Sequence, residues 1–198
     1  MTQALLLSGG QDSAALLYML RPSFAITIDY GQRPAEAEIR ASSHLCKSLN
    51  IDHRVISIDC STLGSGDMVG SPALPEAPVP EWWPYRNQLL VTMAAAVALT
   101  RNCSQLVIGT VKTDSSHADG TAGFVEVLSR LLMMQEGGLD LVAPAIGLTS
   151  AELVKKSGIP LELLCWAHSC HVSNLACGQC RGCNKHLEVT HALGFAAF

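Results

Sequence analysis

Short apolar runs alternate with segments of helical spacing along the N-terminal part of the chain. Ala4-Leu5-Leu6-Leu7 is an apolar run that ends at Gly9-Gly10, and Asp12 to Leu20 follows with neither Pro nor Gly. The first reads as a strand and the second as a helix. Phe24 to Tyr30 alternates and is partly β-branched, as a second strand requires. Ala35 to Leu49 has helical period, with Leu45 and Leu49 four apart, and Arg54 to Asp59 reads as a third strand. Asn87 to Ala98 predicts a strongly apolar helix, Gln105 to Val111 a fourth strand, Phe124 to Met134 a helix and Leu139 to Ala145 a last extended segment. Thr149 and Glu152 stand three apart, the spacing of a capping box, and Gly158-Ile159-Pro160 stops the helix they open. This order predicts an α/β fold, a mostly parallel twisted sheet with helices on both faces.

Two stretches break the pattern. Ser61 to Pro84 carries prolines at 72, 75, 78, 80 and 84 and shows no period, so it reads as a long loop or lid. Its Trp82-Trp83 pair suits a partner patch, a base-stacking lid or an anchor to the core. The C-terminal end carries Cys170, Cys177, Cys180 and Cys183 in a polar, Gly-rich segment, followed by a short tail. We divide the chain into residues 1–165, an α/β unit, and 166–198, a cysteine-bearing segment packed on it.

Composition narrows the function. A chain of 198 residues, 48% hydrophobic, is long enough for one sizeable core. The formal net charge is −4. That balance, without a basic tract, speaks against nucleic acid and against a polybasic membrane patch. No secretory leader and no apolar run of about 20 residues is visible, so a cytoplasmic protein is expected. Four of the eight cysteines are scattered and four are bunched, which favours metal over disulfides.

Two constellations carry chemistry. Ser8-Gly9-Gly10-Gln11-Asp12-Ser13 joins the first strand to the first helix. Glycines allow close backbone approach, the helix start points amides outward, and Ser8 and Ser13 add hydroxyls. Asp12 suits a magnesium ion that bridges phosphates. No Gly-Lys-Ser/Thr follows, so this is not a Walker loop. Cys170, Cys177, Cys180 and Cys183 offer four thiolates, which suit structural zinc, with an iron–sulfur cluster as the competitor. His168 and His171 flank the first cysteine and read as loop histidines or replacement ligands.

The Ser-Gly-Gly-x-Asp-Ser stretch resembles the PP-loop of ATP pyrophosphatases. With Tyr30-Gly31-Gln32-Arg33, Pro84-Tyr85-Arg86-Asn87 and the Cys170–Cys183 spacing, the chain resembles the 7-cyano-7-deazaguanine synthase (QueC) family from end to end. The resemblance implies an ATP-dependent C–N ligase that adenylates 7-carboxy-7-deazaguanine and captures ammonia, giving an amide and then a nitrile. It implies Asp12, Ser13, Arg86 and Asp114 as catalytic residues. Ser8, Gly9, Gly10, Gln11, Tyr30, Gln32, Arg33 and Asn87 would bind nucleotide, and ATP, Mg²⁺ and structural Zn²⁺ would be the cofactors. A homodimer is also implied. Some members of the family sit in CBASS-type anti-phage systems, where a protein amine is the acceptor. A tRNA thiolase and a non-catalytic zinc-stabilised subunit are the remaining readings.

The chain departs from the family pattern at three places. Asp114 to Thr121 lacks the usual Tyr, Cys and Arg, although Asp114, Ser116 and Asp119 align. Ser150 stands where a Lys is usual, with Lys112, Lys155 and Lys156 as candidate substitutes. Lys185-His186 replaces Leu-Arg after the last cysteine.

Overall fold

The structure, a computed structural model, describes residues 2–195; Met1 and residues 196–198, the outer ends of the two expected units, lie outside the described residues. Five strands form one sheet: β1 (Gln3–Leu6), β2 (Phe24–Asp29), β3 (Asp52–Ser57), β4 (Gln105–Val107) and β5 (Asp140–Val142). The order is β3-β2-β1-β4-β5 and every pairing is parallel. Seven α-helices accompany them among the described residues: α1 (Gln11–Leu20), α2 (Ala35–Leu49), α3 (Arg86–Leu99), α4 (Ala122–Met133), α5 (Ser150–Ser157), α6 (Leu161–Leu164) and α7 (Arg181–Ala192).

Strand alternation builds two cores. Successive side chains point to opposite faces of a sheet. Leu5 and Leu7 therefore join Ala25 and Val107 in a layer with Leu16, Leu17, Leu45, Leu153 and Val189. Ala4 joins Ile26, Ile28, Leu106 and Leu141 in the opposite layer, with Val91 and Ala94 of α3 and Leu128 of α4. Both faces are covered, as a parallel sheet requires. Thr149 accepts from the Glu152 amide at 3.3 Å and Glu152 accepts from the Thr149 amide at 2.8 Å, so the capping box forms.

Two expectations need correction. Residues 61–84 are not without structure. They contain two 3₁₀ turns, Ser61–Leu63 and Gly66–Met68, and Trp83 is 2% exposed, edge-on to Tyr30 at 4.8 Å. Trp83 is thus an anchor, and burial of an indole of that size fixes the loop against β2. The residues after Cys180 are not a short tail but the twelve-residue helix α7. Its N-cap is a sulfur: the Cys180 side chain accepts from the Cys183 amide.

The strand order reverses direction between β1 and β4. Loops from their carboxyl ends diverge there, and the crevice they leave is the customary ligand site of an open α/β sheet.

Candidate active site and metal centre

β1 runs through Ser8-Gly9-Gly10 into α1. Gly9 has φ 78°, and a Cβ there would stand 2.6 Å from the Glu38 carbonyl oxygen. Only glycine lets the turn lie against the backbone of α2. Gly10 is the N-cap of α1 and supplies no side-chain cap, so the first amides of the helix lack intrahelical partners. The Ser8 and Ser13 hydroxyls lie 3.1 Å apart beside them, and Ser13 Oγ donates to the Gly10 carbonyl at 3.0 Å. Amides, hydroxyls and the positive end of the helix dipole converge on one point.

A cavity of about 900 Å³ opens over this turn, at the upper end of the size range of small-molecule sites. Ser8 and residues 10–13 form its floor, and Tyr30, Arg86, Asn87 and Asp114 stand in its walls. The sequence therefore brings most of its expected site residues to one place. Arg86 donates to the Met68 sulfur at 3.1 Å. Burial raises the Tyr30 phenol pKa, against the opposing charge of Arg86, so the ring stays neutral. Asn87 is the second residue of α3, whose N-cap is Tyr85. Its amide side chain donates to the Asp119 carbonyl at 3.0 Å and ties α3 to the loop after β4.

Gln32 and Arg33 are not in the cavity wall, contrary to the sequence expectation. The Gly31 turn, φ 93°, sends Gln32 into the protein and leaves Arg33 outside. Gln32 Oε1 accepts from the Tyr30 amide at 2.8 Å, and its Nε2 donates to Glu38 Oε2 at 2.8 Å. Its role is to hold Glu38, which does line the cavity. Burial pushes the Glu38 carboxyl up to about 7, against the Gln32 hydrogen bond and the Arg86 charge. Sequence reading missed this group.

It also missed Lys185. Its Nζ donates to Asp12 Oδ2 at 2.9 Å and to Asp114 Oδ1 at 3.3 Å. Burial opposes its charge, but the two carboxylates outweigh it and hold its pKa above the ordinary value. None of Lys112, Lys155 and Lys156 lines the cavity; all three side chains face outward. The lysine that lines the cavity, Lys185, comes from α7 instead. Asp12 Oδ1 and Ser150 Oγ are buried without a partner, and both residues line the cavity. Each such atom costs about 1–3 kcal/mol unless a ligand satisfies it. The free oxygen of Asp12, next to the Asp114 carboxylate across Lys185, is a donor set of the kind that hard divalent cations take.

The four bunched cysteines come together beyond the far wall of this cavity. Their Sγ atoms all lie within 4.8 Å of one another. Cys177–Cys183 and Cys170–Cys180 are each 3.9 Å apart. A tetrahedral ion with bonds of about 2.3 Å places its sulfurs about 3.8 Å apart, so the set can hold one metal ion. Amides of His171, Cys180 and Cys183 donate to its sulfurs. Backbone amides of Gln179 and Cys180 draw the Cys177 thiol down to about 6, whereas burial pushes Cys183 up to about 12. Neither flanking histidine replaces a sulfur. The His168 ring lies 2.9 Å from the Ser173 carbonyl, and the His171 ring packs on Gly182.

The fold is shared with solved structures of low sequence identity. A U34-tRNA thiolase, NcsA, from Methanococcus maripaludis with its [4Fe-4S] cluster matches at TM-score 0.53 and 17% identity, over 96% of this chain; the chain spans 64% of that protein's length. NMN synthetase from Francisella tularensis matches at TM-score 0.53 and 18% identity, over 100% of this chain and 79% of its own. Sequence relatives are nearer. The 7-cyano-7-deazaguanine synthase of Methanosarcina barkeri is 31% identical over 90% of this chain and 88% of its own. The model of the queuosine biosynthesis protein QueC family matches residues 2–193, and the chain belongs to that family.

Proposed function

We propose that the chain is an ATP-dependent adenylating ligase for the carboxylate of a 7-deazaguanine, with ammonia as acceptor and a nitrile as final product. The observation that carries this reading is the pair of buried, unpartnered oxygens of Asp12 and Ser150 beside an anion-receiving turn. In the first half-reaction a carboxylate oxygen attacks the α-phosphorus of ATP, and the bond to the β-phosphate breaks. Amides at the start of α1 and the hydroxyls of Ser8 and Ser13 receive charge as pyrophosphate departs. Ammonia then attacks the acyl adenylate and AMP leaves with the former carboxylate oxygen. A second ATP activates the amide oxygen in the same way, and loss of AMP and two protons leaves the nitrile. Asp12 and Asp114 would hold Mg²⁺, which when bound offsets phosphate charge. Arg86, in the cavity wall, is suited to orient the carboxylate.

The four sulfurs enclose space for one ion, whereas a multi-iron cluster inserts several atoms between its cysteines. We therefore read the centre as structural zinc. A protein amine is the second acceptor considered, because the wall from Asp114 to Thr121 lacks the family's usual Tyr, Cys and Arg.

One incubation tests both acceptors. The protein, ATP, Mg²⁺, 7-carboxy-7-deazaguanine and ammonium are mixed, and small molecules and protein are weighed by mass spectrometry. The expected result is acid-dependent pyrophosphate release with an amide or nitrile product, reduced about 100-fold or more in Asp12→Ala. Equal turnover by that variant, or no mass change in acid or protein, sinks the proposal.

A further inference from the structure

The metal centre and the phosphate turn are joined through one helix face. Arg181 and Lys185 stand four apart on α7 and so project from the same side. Both line the cavity. Arg181 donates to Glu81 at 3.0 Å, and Glu81 is a buried residue of the proline-rich loop. Lys185 spans Asp12 and Asp114. The arginines and lysine among the residues lining the cavity are Arg86, Arg181 and Lys185, beside His117, His168 and His171. Arg86 is turned to Tyr30 and Met68, and Arg181 to Glu81. Lys185 is the one in contact with the phosphate turn itself, through Asp12.

The placement of Lys185 depends on the first turn of α7. Cys180 caps that turn and Cys183 lies within it, two residues before Lys185. The far half of the helix is held differently, by Val189 and Thr190 in the core. Loss of the metal therefore releases chiefly the half that carries Arg181 and Lys185. A triphosphate entering beside two carboxylates needs compensating charge, and an ammonium fixed between them supplies it at short range.

We propose that Lys185 is the phosphate-binding cation of this chain, and that the four-cysteine metal centre sets nucleotide affinity by holding it in place. The proposal rests on the reading of the cavity as an ATP site. It assigns to α7 the charge that the family pattern supplies near position 150. It also gives the metal a positioning role besides a structural one.

The test titrates the metal-loaded protein with the Mg²⁺ complex of a non-hydrolysable ATP analogue in a calorimeter. Lys185→Met is expected to bind at least about tenfold more weakly, with metal content as in wild type. Lys185→Arg, which keeps the charge, is expected to recover most of that loss. Stripping the metal should weaken the wild type by a similar factor and leave Lys185→Met nearly unchanged, since the group the metal positions is already gone. Wild-type affinity in Lys185→Met overturns the proposal, as does an equal loss in the Arg and Met variants. A stripping penalty as large in Lys185→Met as in wild type overturns the role given to the metal. No binding by wild type overturns the ATP-site reading and this proposal together. Binding without turnover of the deazaguanine acid refutes only the ligase and leaves Lys185 supported.

Discussion

Replacing Gly182 by alanine tests whether the four cysteines hold a metal ion under a tight steric constraint. A Cβ at position 182 would lie 1.8 Å from the Ser169 carbonyl oxygen and 2.7 Å from His171 Nε2. Such contacts essentially never fall below 3.0 Å, so something must move by at least 1.2 Å. The obstacle is backbone and cannot rotate away. Ser169 adjoins Cys170, and Gly182 lies between Cys180 and Cys183, so the displacement pulls apart ligands whose sulfurs lie 3.9 Å from one another. Metal–sulfur bonds of about 2.3 Å do not stretch by such an amount. Overpacking of this kind costs about 1–3 kcal/mol. If that strain is relieved at the metal, affinity falls by roughly 5- to 150-fold, because each 1.4 kcal/mol is a factor of ten. Competition against a colorimetric chelator measures the change. Gly178→Ala is the control. Nothing lies within 4 Å of its Cβ, and its φ of 73° alone disfavours alanine, by about 1–2 kcal/mol. A Gly182→Ala protein that holds metal and melts as wild type does would refute the reasoning, and a larger loss in Gly178→Ala would reverse it.

Two further outcomes follow from single residues. Glu38 binds a proton in the folded protein up to about pH 7 but has an ordinary value of 4.5, so the fold gains proton-linked stability below about 4.5 and loses it as pH rises through 7. Glu38→Gln, always neutral, should melt progressively higher than wild type as pH increases across that window, and a constant difference in differential scanning calorimetry would exclude the proposed linkage. Gly123 is exposed in α4 with nothing within 4 Å of its Cβ, so Gly123→Ala should stabilise the protein by about 0.5–1 kcal/mol in urea unfolding; a destabilised variant would contradict the helix assignment there.

Local signals carried the α/β order into the sequence, and long-range contacts decided what was not visible there. The Leu5–Leu7 run, the Gly9-Gly10 bend and the helix after it are each set by neighbours a few residues away. The strand order is not local, yet alternating strands and helices leave few ways to cover both sheet faces. Arg33 misled because a motif match ranks residues by type, whereas the positive φ of Gly31 decides which of Gln32 and Arg33 turns inward. Gln32 buries its amide on Glu38, so the acidic group in the cavity came from a helix read only for its period. α7 is the instructive omission. Cys183, Thr190 and Val189 are buried on one side with Gly182, a helical spacing present in the sequence. It was obscured because the turn is capped by a cysteine sulfur, which common N-cap preferences do not include. Lys185 then meets Asp12 across 173 positions of chain. That meeting brings α7, whose start is capped by the Cys180 sulfur, to the place where β1 and β4 part. Ser150 and Lys185, the latter two residues after Cys183, are 35 positions apart in sequence. On the folded chain both positions, Ser150 and Lys185, border the same cavity.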